Sequence, residues 1–178
     1  MEAANPSVVV PSVAAGKLPL QGCTATTVGT VTTDTCDLWA KAGTTALGLG
    51  LSVPIWGFSS TEVDYPTAPG PGLVVNQGDT VSVTLHNQIA GQQVSLTFPG
   101  QPTTAFAAGS LSAAAQEIGI SSTDPAKTYT FTASRAGTFI YEAGHTSNGT
   151  RQVAMGLAGA LGVLLVGTLL KKRTEKTA

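Results

Sequence analysis

The clearest run of alternating positions is "GLVVNQGDTVSVTLHN". A short apolar segment is followed by an Asn-Gln-Gly-Asp turn and then by a strand of period two. Within residues 81–87, Val81, Val83 and Leu85 fall on one face, while Ser82, Thr84 and His86 fall on the other. One face is therefore core and the other is wet. "KTYTFTAS" alternates again through Tyr129 and Phe131, "GTFIYEAG" follows the turn at residues 135–137, and "QQVSLTFPG" reads as a further strand. Upstream, "CDLWAKAG" and "LSVPIWGFSS" are two more, the proline of the second marking an edge or a bulge. "DYPTAPGPG" is a turn-dense connection. Short strands at this spacing, punctuated by Gly and Pro, predict an all-β fold, a Greek-key β-sandwich of seven or eight strands. The segment "AGSLSAAAQEIGISSTDPA" fits either one helical turn or a long loop.

At 178 residues the chain is long enough for one sandwich with tails. The pattern divides it into a Pro/Ala/Val-rich lead-in over residues 1–20, a domain over 21–168 and a basic tail over 169–178. Charged residues make up only 11% and the net charge is −1, which leaves no basic field for a phosphate backbone and excludes nucleic acid as a partner. The two cysteines, Cys23 and Cys36, flank the Thr-rich stretch "CTATTVGTVTTDTC", which reads as a hairpin turning near Gly29. A disulfide across it fits an oxidising compartment, and the expected location is extracytoplasmic, secreted or at the cell surface. The alternative, two free thiols in a cytosolic protein, stays open on spacing alone. The N-terminal "MEAANPSVVVPSVAAGK" has no basic n-region and is not a standard signal peptide.

"PGPGLVVNQGDTVSVTLHN" resembles the segment that opens the core of a multicopper oxidase cupredoxin domain, and "AGTFIYEAGHTSNGTRQVAMGLAGALGV" is similar to the one that closes it. The resemblance spans roughly residues 36 to 165 and implies a cupredoxin, or plastocyanin-like, sandwich. It also implies copper, bound through paired histidine motifs and a cysteine-centred blue site. Where the family's His-Trp-His-Gly sequence belongs, this chain has "SLTFPGQ", so Leu96 and Phe98 stand at the positions of imidazoles. Where the family has Tyr-His-Ser-His, this chain reads "YEAGHT", with Glu142 at the first histidine and His145 one residue late. A blue site needs two histidines and a thiolate in the closing loop, and both cysteines precede the core. The only histidines are His86 and His145, too few for a three-copper cluster. His145 and Glu142 are the candidate metal residues, as a weak site. His86 reads as a structural histidine on the wet face, Asp79 as the cap of its turn, and Glu142 with Arg151 as an ion pair across the closing loop.

Residues 153–170 carry no charge and are followed by "KKR", a pattern at the lower edge of a membrane span. The competing reading makes "GLAGALGV" the last strand of the sandwich, and it is favoured over membrane contact through 153–170. No nucleophile elbow, phosphate loop or metalloprotease motif is present, so standalone catalysis is not expected. Two function classes follow. One is a non-catalytic extracytoplasmic module without a complete copper site, partnered by other protein chains or by itself. The other is a domain or fragment of a multicopper oxidase, or a weak copper-binding protein using His145.

Overall fold

The computed structural model describes residues 23–101 and 119–165. The lead-in over 1–20, the tail over 169–178 and the part of the uncertain segment at 108–118 lie outside the described residues. Among the described residues nine strands and one short helix follow in order: β1 (Cys23–Val28), β2 (Val31–Gly48), β3 (Leu51–Ser59), β4 (Leu73–Asn76), β5 (Thr80–Asn87), β6 (Leu96–Thr97), β7 (Lys127–Thr132), β8 (Gly137–Ala143), α1 (Gly149–Met155) and β9 (Ala158–Leu164). One sheet runs β1-β2-β5-β7 with β3 also on β2, and the other runs β4-β9-β8-β6. Two of the ladders, β2 with β5 and β4 with β9, are parallel. Such pairs need crossover connections, and here these pass between the two sheets. The result is the Greek-key sandwich that the strand spacing predicts, of the cupredoxin type that the resemblance implies.

Alternation along the strands builds the core. In β5 the buried Val81, Val83 and Leu85 stand beside Tyr129 and Phe131 of the neighbouring β7 and share one core with Tyr141 of the other sheet, while Ser82, Thr84 and His86 look outward. The outward positions of β1, β2, β5 and β7 are mostly threonines, a residue that combines β-branching with a hydroxyl water can reach. At the end of β5 the buried Asn87 satisfies all three of its polar groups. Its Nδ2 donates to the carbonyls of Gln92 and Ile120, and its Oδ1 accepts from Ile89 N–H. The turn before β5 is closed by Asp79 N–H on Asn76 O at 3.1 Å, and the Asp79 carboxylate caps it through Oδ2, which accepts from the Asn76 side-chain Nδ2 at 3.0 Å.

The Thr-rich stretch is a hairpin turning at Gly29, whose φ of 62° is a conformation that glycine adopts without strain. Cys23 and Cys36 are directly opposite in its register and are joined in a disulfide. The strand expected at "CDLWAKAG" is not separate from the hairpin: β2 continues through it for 18 residues, because successive partners β1 and β3 cover one edge in turn. Closing a loop of this length restricts the unfolded chain by about 3 kcal/mol. Replacing both cysteines by serine is expected to lower unfolding free energy by that amount, as read from denaturant midpoints at constant slope. The sandwich itself should remain folded, because β2 keeps its pairing with β3 and β5 when the bond is gone.

The uncharged C-terminal run splits into three. Residues 153–155 end α1, Gly156 caps it with a φ of 117°, and Ala158–Leu164 is β9, held between β4 and β8. The strand reading of this run is therefore what the fold uses, and residues 166–170 lie outside the described part. Gly159 owes its identity to packing, since a Cβ there would collide with the Tyr141 phenol. Among the described residues no helix is long and apolar enough to cross a membrane.

Candidate functional site

The segment that follows β8 folds back on itself before α1 begins. Gly144 N–H donates to Ser95 O, Thr146 N–H to Gly144 O, and Gly149 N–H to Thr146 O, which winds the loop into successive tight turns. A Cβ at Gly149 would strike Gly144 O, so this winding requires a glycine. Two side chains then strap loop and helix to the segment that leads into β6: the buried Gln152 donates to Gln93 O at 2.7 Å, and Asn148 Nδ2 donates to Gln92 Oε1 at 2.9 Å. The helix was not legible beforehand. Its seven residues carry no acidic first turn and no basic last turn, and no side chain caps its N-terminus.

Between this loop and α1 lies an open cavity of about 530 Å³ lined in part by Glu142, His145, Thr146, Thr150 and Val153. Both candidate metal residues therefore line this one cavity. Glu142 is half-buried in β8, and His145 is exposed in the loop. Arg151 does not reach Glu142 to form the expected ion pair. Its guanidinium lies over the Trp56 ring, 5.2 Å from the centroid, because α1 turns its face toward β3.

His86 occupies a different place, on the outer face of the β5 sheet. Its ring stacks on Trp39 with centroids 4.0 Å apart and planes 3° from parallel, and its Nε2 lies 3.0 Å from Asp37 Oδ1. These three come together because β2 and β5 pair in parallel with Trp39 opposite His86. Asp37 carries no sequence signal of its own, and only the register reveals it.

The residues present do not fit the copper centres that the resemblance implies. Leu96 and Phe98, at the imidazole positions, are core side chains, and Phe98 packs on Phe131 at 4.7 Å and edge-on to Tyr129 at 6.4 Å. Both thiols are consumed in the disulfide. His86 lies on the outer face of β5 and His145 in the loop after β8, and no three His, Cys, Asp or Glu side chains among the described residues come together as a metal would need. The buried oxygens around the closing loop that lack a protein partner, Ser95 Oγ, Thr146 Oγ1 and Gln152 Oε1, belong to hydroxyls and an amide, poor donors for copper.

Comparison with known proteins fits this geometry into a larger frame. The family profile described as multicopper oxidase matches residues 65–165. Among solved structures, the chain is similar to a copper nitrite reductase from Nitrosomonas europaea, with a TM-score of 0.61 at 26% identity over 75% of this chain and 42% of that one. It is similar also to a multi-copper oxidase from Pseudomonas thermotolerans, with a TM-score of 0.61 at 25% identity over 76% of this chain and 30% of that one. A further multicopper oxidase, with a TM-score of 0.62 at 22% identity over 80% of this chain and 46% of that one, shares the fold. The chain spans less than half the length of each. No curated protein sequence matches it.

Proposed function

Because this chain belongs to the multicopper oxidase family while its imidazole positions hold core residues, we propose that it is a non-catalytic cupredoxin-like module. It acts outside the cytoplasm through contacts with other protein chains. The observation that carries the reading is the burial of Leu96 and Phe98 against Tyr129 and Phe131. Restoring two imidazoles there would place polar rings in the core, where each unpaired polar group costs on the order of 1–3 kcal/mol. The family scaffold has been kept and its metal-facing positions given over to packing. The Cys23–Cys36 disulfide supports an oxidising location, since such bonds persist where thiols are not kept reduced.

The test is the copper content of the purified full chain after exposure to excess copper and desalting, with His145→Ala and His86→Ala beside it. The expected result is far less than one copper per chain, equal in all three. Near-stoichiometric copper that disappears in His145→Ala would overturn the reading and make the cavity by Glu142 a metal site. A second reading, a non-ligating domain that belongs with copper-bearing domains, is favoured by the span of this chain, less than half that of its structural neighbours. Its signature would be oxidase activity that appears only when copper-bearing domains are supplied with the chain.

A further inference from the structure

β2 runs beyond its last pairing with β5 at Ala40 and Asn87, and from there to Gly48 it forms with β3 an arm about 25 Å long. Residues 42–61 carry no charge, and the tip of the arm displays Leu47, Leu49 and Leu51 at 65%, 102% and 62% exposure. The arm has two edges, and they are treated differently. Gln88 N–H donates to Ala40 O, so the even-numbered residues of β2 direct N–H and C=O away from β3, and Ala42, Thr44 and Ala46 present an edge that no described residue pairs with. On the β3 side the outward position opposite Thr44 is Pro54, which has no N–H to offer, and farther along Phe58 O is taken by Thr67 N–H. One edge is blunted and the other is left open, with neither charge nor proline to discourage pairing.

Beside the open edge lies a socket. The loop over residues 60–66 crosses the outer face of β2, pinned by Lys41, whose Nζ donates to the carbonyls of Thr61, Glu62 and Asp64. Pro66 rests on Gly43, where a Cβ would lie 2.6 Å from its Cγ. A cavity of about 220 Å³ opens there, lined by residues that include Ala42, Val63, Tyr65 and Pro66, with Val63 and Tyr65 each 90% exposed.

We infer that the open edge of β2 pairs antiparallel with the same edge of a second copy, each leucine tip seating in the other copy's socket. A twofold axis through Thr45 sets Thr44 opposite Ala46 of the partner subunit, so that the outward N–H and C=O groups of these residues exchange hydrogen bonds. The same register sets Leu47 opposite Gly43. Directly opposed side chains share a face, and Leu47 therefore descends on the face that carries Pro66, Val63 and Tyr65. Because the arm supplies both knob and socket, the contact is isologous and closes at two copies. Five exposed apolar side chains, at roughly 100–200 Å² each with the paired backbone, approach the about 800 Å² per partner of a stable complex.

The inference rests on the interaction-module reading above and names its partner. The test is sedimentation of the full chain at micromolar concentration, with Ala46→Pro, Leu47→Asp and Thr45→Cys. A dimer is expected. Ala46→Pro removes an outward N–H and not one used by β3, so it should raise the dimer dissociation constant at least about tenfold, with the thermal midpoint of the monomer kept. Leu47→Asp should do the same without touching the backbone, and Thr45→Cys should give a single covalent dimer on oxidation. A monomer throughout, or a dimer indifferent to both Ala46→Pro and Leu47→Asp, would overturn the interface. The copper measurement separates the two claims: a dimer that also holds stoichiometric copper keeps the interface and sinks the non-catalytic module, and a copper-free monomer does the reverse.

Discussion

Raising the pH from 10 to 12 is expected to lower the thermal midpoint of the protein steeply. Burial pushes the Tyr129 hydroxyl up to about 12, offset in part by the Leu96 N–H that donates to it, and burial pushes the Tyr141 hydroxyl higher still. Both phenols are held neutral inside the sandwich, Tyr141 donating to Pro71 O at 2.7 Å. In the unfolded chain each loses its proton near pH 10. Above that pH the unfolded state binds fewer protons than the folded state, so stability is full below pH 10 and falls as the pH rises. By pH 12 the two together remove about 5 kcal/mol, a large share of the roughly 5–15 kcal/mol of an ordinary domain. Lys127 acts in the opposite sense, since burial disfavours its ammonium, and it softens the fall. Thermal midpoints followed by circular dichroism from pH 8 to pH 12 should drop steeply above pH 10. Tyr129→Phe with Tyr141→Phe should flatten that drop, although the double variant starts lower. A flat wild-type profile would show that the phenols are not buried as described.

Lys41→Met is expected to lower unfolding free energy by about 4 kcal/mol, because it leaves three inward-facing carbonyls without a donor. Lys41 is 9% exposed, and its ammonium spends all three N–H bonds on Thr61, Glu62 and Asp64 carbonyls. It is a backbone clasp and not an ion pair, which makes Glu62→Gln the discriminating control: the carbonyl survives that change, and stability should move by less than about 0.5 kcal/mol. Lys41→Met should also expose the 60–66 loop to limited proteolysis. If Glu62→Gln proved as costly as Lys41→Met, the carboxylate rather than the carbonyls would be the partner that matters.

The strands that alternate cleanly could be read in advance. Val81, Val83 and Leu85, or Tyr129 and Phe131, announce their faces because the side-chain period of a strand is two and water sorts apolar from polar. The loss of copper ligands was equally legible, since a cysteine or histidine absent from the sequence cannot be supplied by folding. Other features hid. Helix α1 has no cap chemistry and too few residues to show a period, and it exists because Gln152 and Asn148 find Gln93 and Gln92 across the fold. The 18-residue β2 looked like two strands, because a strand's length is set by its partners and not by its own residues.

What the sequence by itself determined is the all-β class, the core-facing positions and the chemical poverty of the copper site, since each depends on residue type and local periodicity. Only the tertiary structure decided what sits beside what: Asp37 and Trp39 against His86, Lys41 beneath the carbonyls of residues 61–64, Gly159 under Tyr141, and the open edge of β2 next to its socket. The physical reason is that strand register and the path of connecting loops are settled by contacts between segments far apart in the chain. No local pattern of hydrophobic and polar residues encodes them.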